Sequence, residues 1–215
     1  MICLQKNTIA ALLATVLFAG TAACAAELTD RVKQSLGWGD PVAGKSESSL
    51  CQGCHGEEGI SFVDLIPDLA GQYAPYIAKQ LRDCQSGART HQIMSAISKS
   101  VSDTELADIA SYFAGLKKMQ GEGSGGNPVA EKLFQKGNPA RGIPSCAGCH
   151  GENGKVPAIA TYPVIGGQHK AYLRVQLIHW RSGDRSNSPD GVMNKAAKTL
   201  TDTEIESLSD YISGL

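Results

Sequence analysis

The sequence predicts an all-α protein built as two tandem copies of one small domain. Three observations predict it. A Cys-x-x-Cys-His motif occurs twice, each time with the same train of residues behind it. A capped helix closes each copy. No run of residues alternates as a half-buried strand would. The chain has 215 residues, room for two small domains, and its 20 Lys+Arg against 21 Asp+Glu lack the basic excess of a nucleic-acid binder.

The first element is an export signal over residues 1–26. Lys6 gives a positive start, 9–19 is an apolar run, and Ala23-Cys24-Ala25 is a small-residue cleavage pattern. The run is short for a membrane span. An uncleaved anchor and a lipid on Cys24 are the other two readings of this segment. Cys3 and Cys24 leave with it, so the mature chain keeps Cys51, Cys54, Cys84, Cys146 and Cys149.

The repeat organises everything after the signal. The segment Cys51-Gln52-Gly53-Cys54-His55-Gly56-Glu57 returns 95 residues later as Cys146-Ala147-Gly148-Cys149-His150-Gly151-Glu152. At an offset of 96, Gly71, Gln72, Tyr76, Gln80, Ser86, Gly87 and Arg89 return as Gly167, Gln168, Tyr172, Gln176, Ser182, Gly183 and Arg185. At an offset of 99, Met94, Asp103, Glu105 and Tyr112 return as Met193, Asp202, Glu204 and Tyr211. Two copies of this size are a duplicated domain, expected at 27–116 and 131–215. The Gly- and Ser-rich stretch inside 117–130 reads as a flexible linker. Apolar spacing predicts amphipathic helices around 76–84 and 172–180. Ser102 with Glu105, and Thr201 with Glu204, form capping boxes that open a last helix in each copy.

In an exported chain, paired cysteines default to disulfides, but this spacing argues for another chemistry. Cys-x-x-Cys-His is the attachment signature of c-type haem. Two thiols three positions apart reach the two vinyl groups of one porphyrin, and the next residue turns its imidazole to the iron. A zinc site made from all four motif cysteines would leave His55 and His150 idle and would not explain the duplicated residues downstream. A thioredoxin-like pair needs a βαβ pattern that is missing here.

The remaining axial ligand must come from elsewhere in each copy, and the repeat selects it. Met94 and Met193 correspond; Met119 has no counterpart. His91, His169 and His179 face non-histidine residues in register. The expected axial pairs are therefore His55 with Met94 and His150 with Met193. With both axial positions filled, no seat is left for a substrate, so electron transfer is expected rather than catalysis. The carbonyls of Pro67 and Pro163 are candidates to orient the two histidines, a plain turn role being the other reading. Gln72, Arg89, Gln168 and Arg185 are candidates for haem propionates, and surface pairing would serve them as well. Tyr76 and Tyr172 read best as core aromatics, with packing on a haem or contact with a propionate as the other reading. Cys84, which faces Trp180 in register, reads as a small core residue, with pairing to another chain as the alternative.

These segments together resemble the dihaem cytochrome c4 family. The resemblance rests on residues 51–56, Pro67-Asp68-Leu69-Ala70-Gly71-Gln72, Gln80-Leu81, Ser86-Gly87-Ala88-Arg89 and Met94, with residues 142–150, Gly166-Gly167-Gln168 and Met193 in the second copy. It covers essentially the whole mature chain; residues 27–39 look longer than the family's usual start. It implies two class I cytochrome c folds with haem propionates meeting near the domain interface. It also implies a periplasmic carrier passing electrons to a terminal oxidase or another respiratory partner. The alternative is a dihaem electron-accepting subunit of a flavoprotein oxidoreductase complex. A dihaem peroxidase would need a displaceable ligand, against the matched methionines. The halves differ in charge: residues 27–116 carry 7 Lys+Arg and 12 Asp+Glu, a net of −5, and residues 117–215 carry 12 and 9, a net of +3. Such a dipole could steer different partners to different ends.

Overall fold

The computed structural model describes residues 39–215, so the expected export signal over 1–26 and residues 27–38 lie outside the described part. The first half contains α1 (Pro41–Glu47), α2 (Ser49–His55), α3 (Ala74–Ser86), the short α4 (Met94–Ile97) and α5 (Asp103–Gly115). The second repeats the plan with α6 (Pro128–Lys136), α7 (Ala147–His150), α8 (Lys170–Ser182), α9 (Val192–Ala197) and α10 (Asp202–Ser213). Among the described residues there is no strand, only one isolated bridge between Asn138 and Ile143.

Each half has its own core. In the first, Ile77 and Leu81 of α3 pack on Leu106, Ile109, Ala110 and Phe113 of α5. In the second, Leu173 and Trp180 of α8, with Leu133 and Phe134 of α6, pack on Ile205, Leu208, Tyr211 and Ile212 of α10. The Phe134 and Tyr211 rings meet in a tilted pair with centroids 5.6 Å apart. Both capping boxes are made as the sequence predicts, Ser102 with Glu105 and Thr201 with Glu204. The amphipathic helices run two residues past their apolar spacing at each end, from Ala74 to Ser86 and from Lys170 to Ser182, and each stops at a left-handed glycine, Gly87 or Gly183. Cys84 is buried in the first half, the core position expected of it.

Two features correct the expectations drawn from sequence. The entry helix of the second half begins at Pro128, inside the stretch expected to be linker. Asn127 caps it through the backbone N–H groups of Val129 and Ala130, at 3.0 and 3.1 Å. Asp40 and Pro41 open α1 the same way. The pair Asp40-Pro41-Val42-Ala43 and Asn127-Pro128-Val129-Ala130 is thus a further piece of the repeat, and an N-cap residue followed by proline is the signal for it. The rest of the linker is laid against the second half instead of hanging free. The N–H of Gly123 donates to Ser213 Oγ at 3.2 Å, and a Cβ at Gly123 would sit 2.0 Å from the Asp210 carbonyl oxygen. Glycine here permits close packing, which composition alone cannot distinguish from flexibility.

The two halves meet about an approximate twofold relation inside one chain. The Gln72 side-chain amide accepts from Val164 N and donates to Val164 O, both at 2.8 Å. The register-equivalent Gln168 accepts from Asp68 N at 2.9 Å and donates to Asp68 O at 3.0 Å. Arg89 donates to Tyr172 Oη at 3.2 Å, and Arg185 donates to Tyr76 Oη at 3.3 Å. Met119 is fully buried, with its N–H on the Ala70 carbonyl and its sulfur accepting from Gln168.

Candidate functional site

The first motif is presented by one helix. Cys51 and Cys54 lie three residues apart on α2, and so on one face, and His55 is its last residue. Cys51 is half-buried against the first core, Cys54 is exposed and His55 is buried. In the second motif, Cys146 stands at the start of α7, and Cys149 and His150 lie within it. Cys146 packs against the second core.

The two histidines are oriented identically. His55 Nδ1 donates to the Pro67 carbonyl at 2.8 Å, and His150 Nδ1 donates to the Pro163 carbonyl at 3.0 Å. With the proton held on Nδ1, Nε2 carries the lone pair, as a metal-ligating imidazole requires. Burial pushes both imidazoles below their ordinary value, only partly opposed by the prolyl carbonyls, so both stay neutral. The prolines act through their carbonyls, which settles the choice between an orienting and a plain turn role.

The first cysteine of each motif is held as a thiol by its surroundings. Burial pushes the Cys51 thiol up and the Cys146 thiol up to about 11, the reverse of an activated thiolate. None of Cys51, Cys54, Cys84, Cys146 and Cys149 forms a disulfide. Among the described residues no three His, Cys, Asp or Glu side chains converge as a metal cluster would require. The donor set in each half is instead two thiols and one neutral imidazole on a short helix.

Met94 opens α4, and Met193 lies in α9; both are half-buried and pack against the core that holds the first cysteine of their own motif. Each backbone N–H is anchored by an upstream side chain. Met94 N donates to His91 Nδ1 at 3.2 Å, and Met193 N to Ser188 Oγ at 3.1 Å. His91, which has no match in the repeat, thus holds the methionine turn. Met119, the methionine without a counterpart, is committed to Gln168 at the interface.

The propionate candidates divide. Gln72 and Gln168 spend both ends of their amides across the interface and so act as interdomain fasteners. Tyr76 and Tyr172 turn their hydroxyls to the arginine of the opposite half, so they are interface residues more than core aromatics. Arg89 and Arg185 bond to neutral groups only: Gln80 and Tyr172 for Arg89; Gln80, Gln176, Asn187 and Tyr76 for Arg185. Arg185 also lies over the Trp180 ring, 4.3 Å from its centroid. Two largely sequestered guanidiniums, with no carboxylate among the described residues, fit an anionic group held between the halves.

Comparison with known proteins adds the family. A cytochrome c family model matches residues 130–215. Cytochrome c4 of Pseudomonas aeruginosa is 41% identical over 180 residues, covering 82% of this chain and 89% of that one. The chain belongs to the cytochrome c4 family. The crystal structure of reduced recombinant cytochrome c4 from Pseudomonas stutzeri superposes with a TM-score of 0.77 at 38% identity, covering 82% of this chain and 99% of that one. A thiosulfate dehydrogenase electron acceptor of Stutzerimonas stutzeri is also similar, 34% identical over 77% of this chain and 78% of its own length. As a cytochrome c4, the protein is a dihaem c-type cytochrome with two class I folds, an electron carrier working with redox partners rather than an enzyme. Among the described residues no helix is long and apolar enough to cross a membrane.

Proposed function

We propose that this cytochrome c4 is a periplasmic shuttle that takes electrons from a respiratory donor and passes them to a terminal oxidase. Residues 1–26 act as its export signal, and two domains, the first over 27–116 and the second entered by the helix that begins at Pro128, each carry one haem. Cys51 and Cys54 hold the first haem by thioether bonds, and Cys146 and Cys149 hold the second. His55 with Met94 would ligate the first iron, and His150 with Met193 the second. The haem irons supply the one-electron ferric/ferrous couple; the chain supplies their orientation, burial and potential. The prolyl carbonyls fix each histidine, and the thioether sulfurs favour reduced iron. Arg89 and Arg185 neutralise propionates between the halves.

The observation that carries this reading is the doubled geometry, in which each buried histidine is turned by a prolyl carbonyl and each matched methionine packs on its own motif's core. The optical spectrum of the oxidised holoprotein, with haem quantified per chain, tests it. Two haems and a full-strength methionine–iron charge-transfer band are expected. Half that band, or a high-spin component, overturns one axial pair and favours a peroxidase-like iron.

A second reading is that the protein serves as the electron-accepting subunit of an oxidoreductase complex. The similarity to a thiosulfate dehydrogenase electron acceptor favours it. Co-purification as a stoichiometric complex distinguishes it from a free shuttle.

A further inference from the structure

The glutamine and arginine–tyrosine bonds of the interface are doubled, and one place where the interface is not doubled carries a buried ionisable cluster. Asp68 of the first half is almost fully buried, 1% exposed. Its Oδ1 accepts from Ser61 N at 2.8 Å and lies 3.1 Å from His169 Nε2 across the interface. Its Oδ2 is buried with no partner. His169 Nε2 also faces the Ser61 carbonyl at 3.2 Å, and its Nδ1 faces Glu122 Oε2 at 3.3 Å. Both ring nitrogens thus face oxygen atoms only. Glu122 is half-exposed, which opens the line Asp68–His169–Glu122 to solvent. In the second half Val164 stands where Asp68 stands, and Tyr73 occupies the His169 position in register.

Asp68 directly follows Pro67, whose carbonyl holds His55. A buried carboxylate so placed favours the oxidised, more positive iron, and an electron arriving on that iron raises the carboxylate's hold on a proton.

We propose that Asp68, with His169 and Glu122, is a redox-linked proton site that couples reduction of the first haem to uptake of one proton. The inference rests on the two-haem reading above. One electron from the donor protein converts ferric to ferrous iron. His169 passes its Nε2 proton to the Asp68 carboxylate, forming one O–H bond as one N–H bond breaks, and water restores the ring proton. Haem and cluster together keep their net charge. Burial pushes the Asp68 carboxyl above its ordinary value, partly offset by Ser61 N–H and His169. The other charged groups facing the cluster are Glu122, whose Oε1 accepts from Lys170 N, and Lys170, whose ammonium is engaged by Glu206 and Asp210. Lys118 is turned to the Lys155 carbonyl.

The test is redox titration of the holoprotein across pH, each haem followed by its own NMR methyl resonances. The first haem's midpoint is expected to fall with rising pH above the ordinary aspartate value of 3.8. The fall should approach about 59 mV per tenfold drop in proton concentration. The second midpoint should be flat over the same range. Asp68→Asn should flatten the first, and His169→Gln should move its sloping range to higher pH. A slope that survives in Asp68→Asn overturns the proposal and assigns the proton to a propionate; two flat midpoints in the wild type overturn it outright. Should the variants fail to fold, wild-type redox-difference infrared spectra decide. A protonated-carboxyl C=O band gained on reduction supports the site, and its absence removes it. A haem count below two refutes the underlying reading instead, so the two failures are distinguishable.

Discussion

Gln168 meets Asp68 as one strand residue meets another, its amide oxygen accepting the Asp68 N–H at 2.9 Å and its amide nitrogen donating to the Asp68 carbonyl at 3.0 Å. Gln72 does the same to Val164. Each glutamine satisfies two buried peptide groups of the opposite half, and an unpartnered buried group costs about 1–3 kcal/mol. Gln168→Ala and Gln72→Ala should each lower stability by about 2 kcal/mol or more. Urea unfolding followed separately at the two haems should also lose coincidence, because the halves are uncoupled. Coincident, unshifted transitions would remove the fastener role.

The axial assignment predicts matched losses. Met94→Ala and Met193→Ala should each remove about half of the methionine–iron charge-transfer band and lower one midpoint, since thioether ligation raises the potential. Met119→Leu, although it alters a fully buried sulfur, should leave the band intact. A band that survives in Met94→Ala, or falls in Met119→Leu, would reassign the ligand.

Much of this site is legible in the amino-acid sequence. The motifs and the two capping boxes follow from spacing and repeat register, and the same register nominates Met94 and Met193. What spacing does not carry is direction. Gln72 and Arg89 each bear groups suited to a propionate, and only the fold shows that the glutamine amide is spent on Val164 while the arginine stays without a carboxylate. The glycines after Gly121 read as flexible because composition does not reveal the Asp210 and Ser213 surface they press against. The Asp68–His169 pair leaves no mark in the sequence, because its partners are 101 positions apart and neither has a like residue in the other copy.

Glu204 separates the two capping boxes. Its carboxylate completes the box with Thr201 and takes a forked ion pair from Arg141, at 2.5 and 2.9 Å. Arg141 beside it, opposed in part by burial, holds it down at about 2. A depressed carboxyl contributes stability above its unfolded value, near 4.5, and loses it as pH falls toward 2. Glu204→Gln should therefore cost about 1 kcal/mol at neutral pH, and the gap from wild type should close between pH 4.5 and 2. Glu105, whose box has no arginine, should show the smaller effect as Glu105→Gln. Equal effects, or a pH-independent gap, would place the stabilisation in the cap alone.

The last prediction concerns how closely α1 approaches α5. A Cβ on Gly44 would lie 2.0 Å from the Asp108 carbonyl oxygen and 2.9 Å from Ile109 N, both backbone atoms that cannot swing aside. The same crossing is tied by Asp40 N donating to Asp108 Oδ1 at 2.6 Å and by Gly39 N donating to Ser111 Oγ at 2.8 Å. Gly44→Ala must push the helices apart, breaking these bonds and opening space beside the fully buried Phe113 and Leu106. Gly53→Ala, on the neighbouring helix and between the two motif cysteines, meets no protein atom within 4 Å. The thermal midpoint should fall by several degrees in Gly44→Ala and rise slightly in Gly53→Ala, where alanine is the better helix former. Haem content should stay at the wild-type level in Gly53→Ala. If Gly44→Ala is harmless, α1 docks more loosely than its contacts with Asp108 imply.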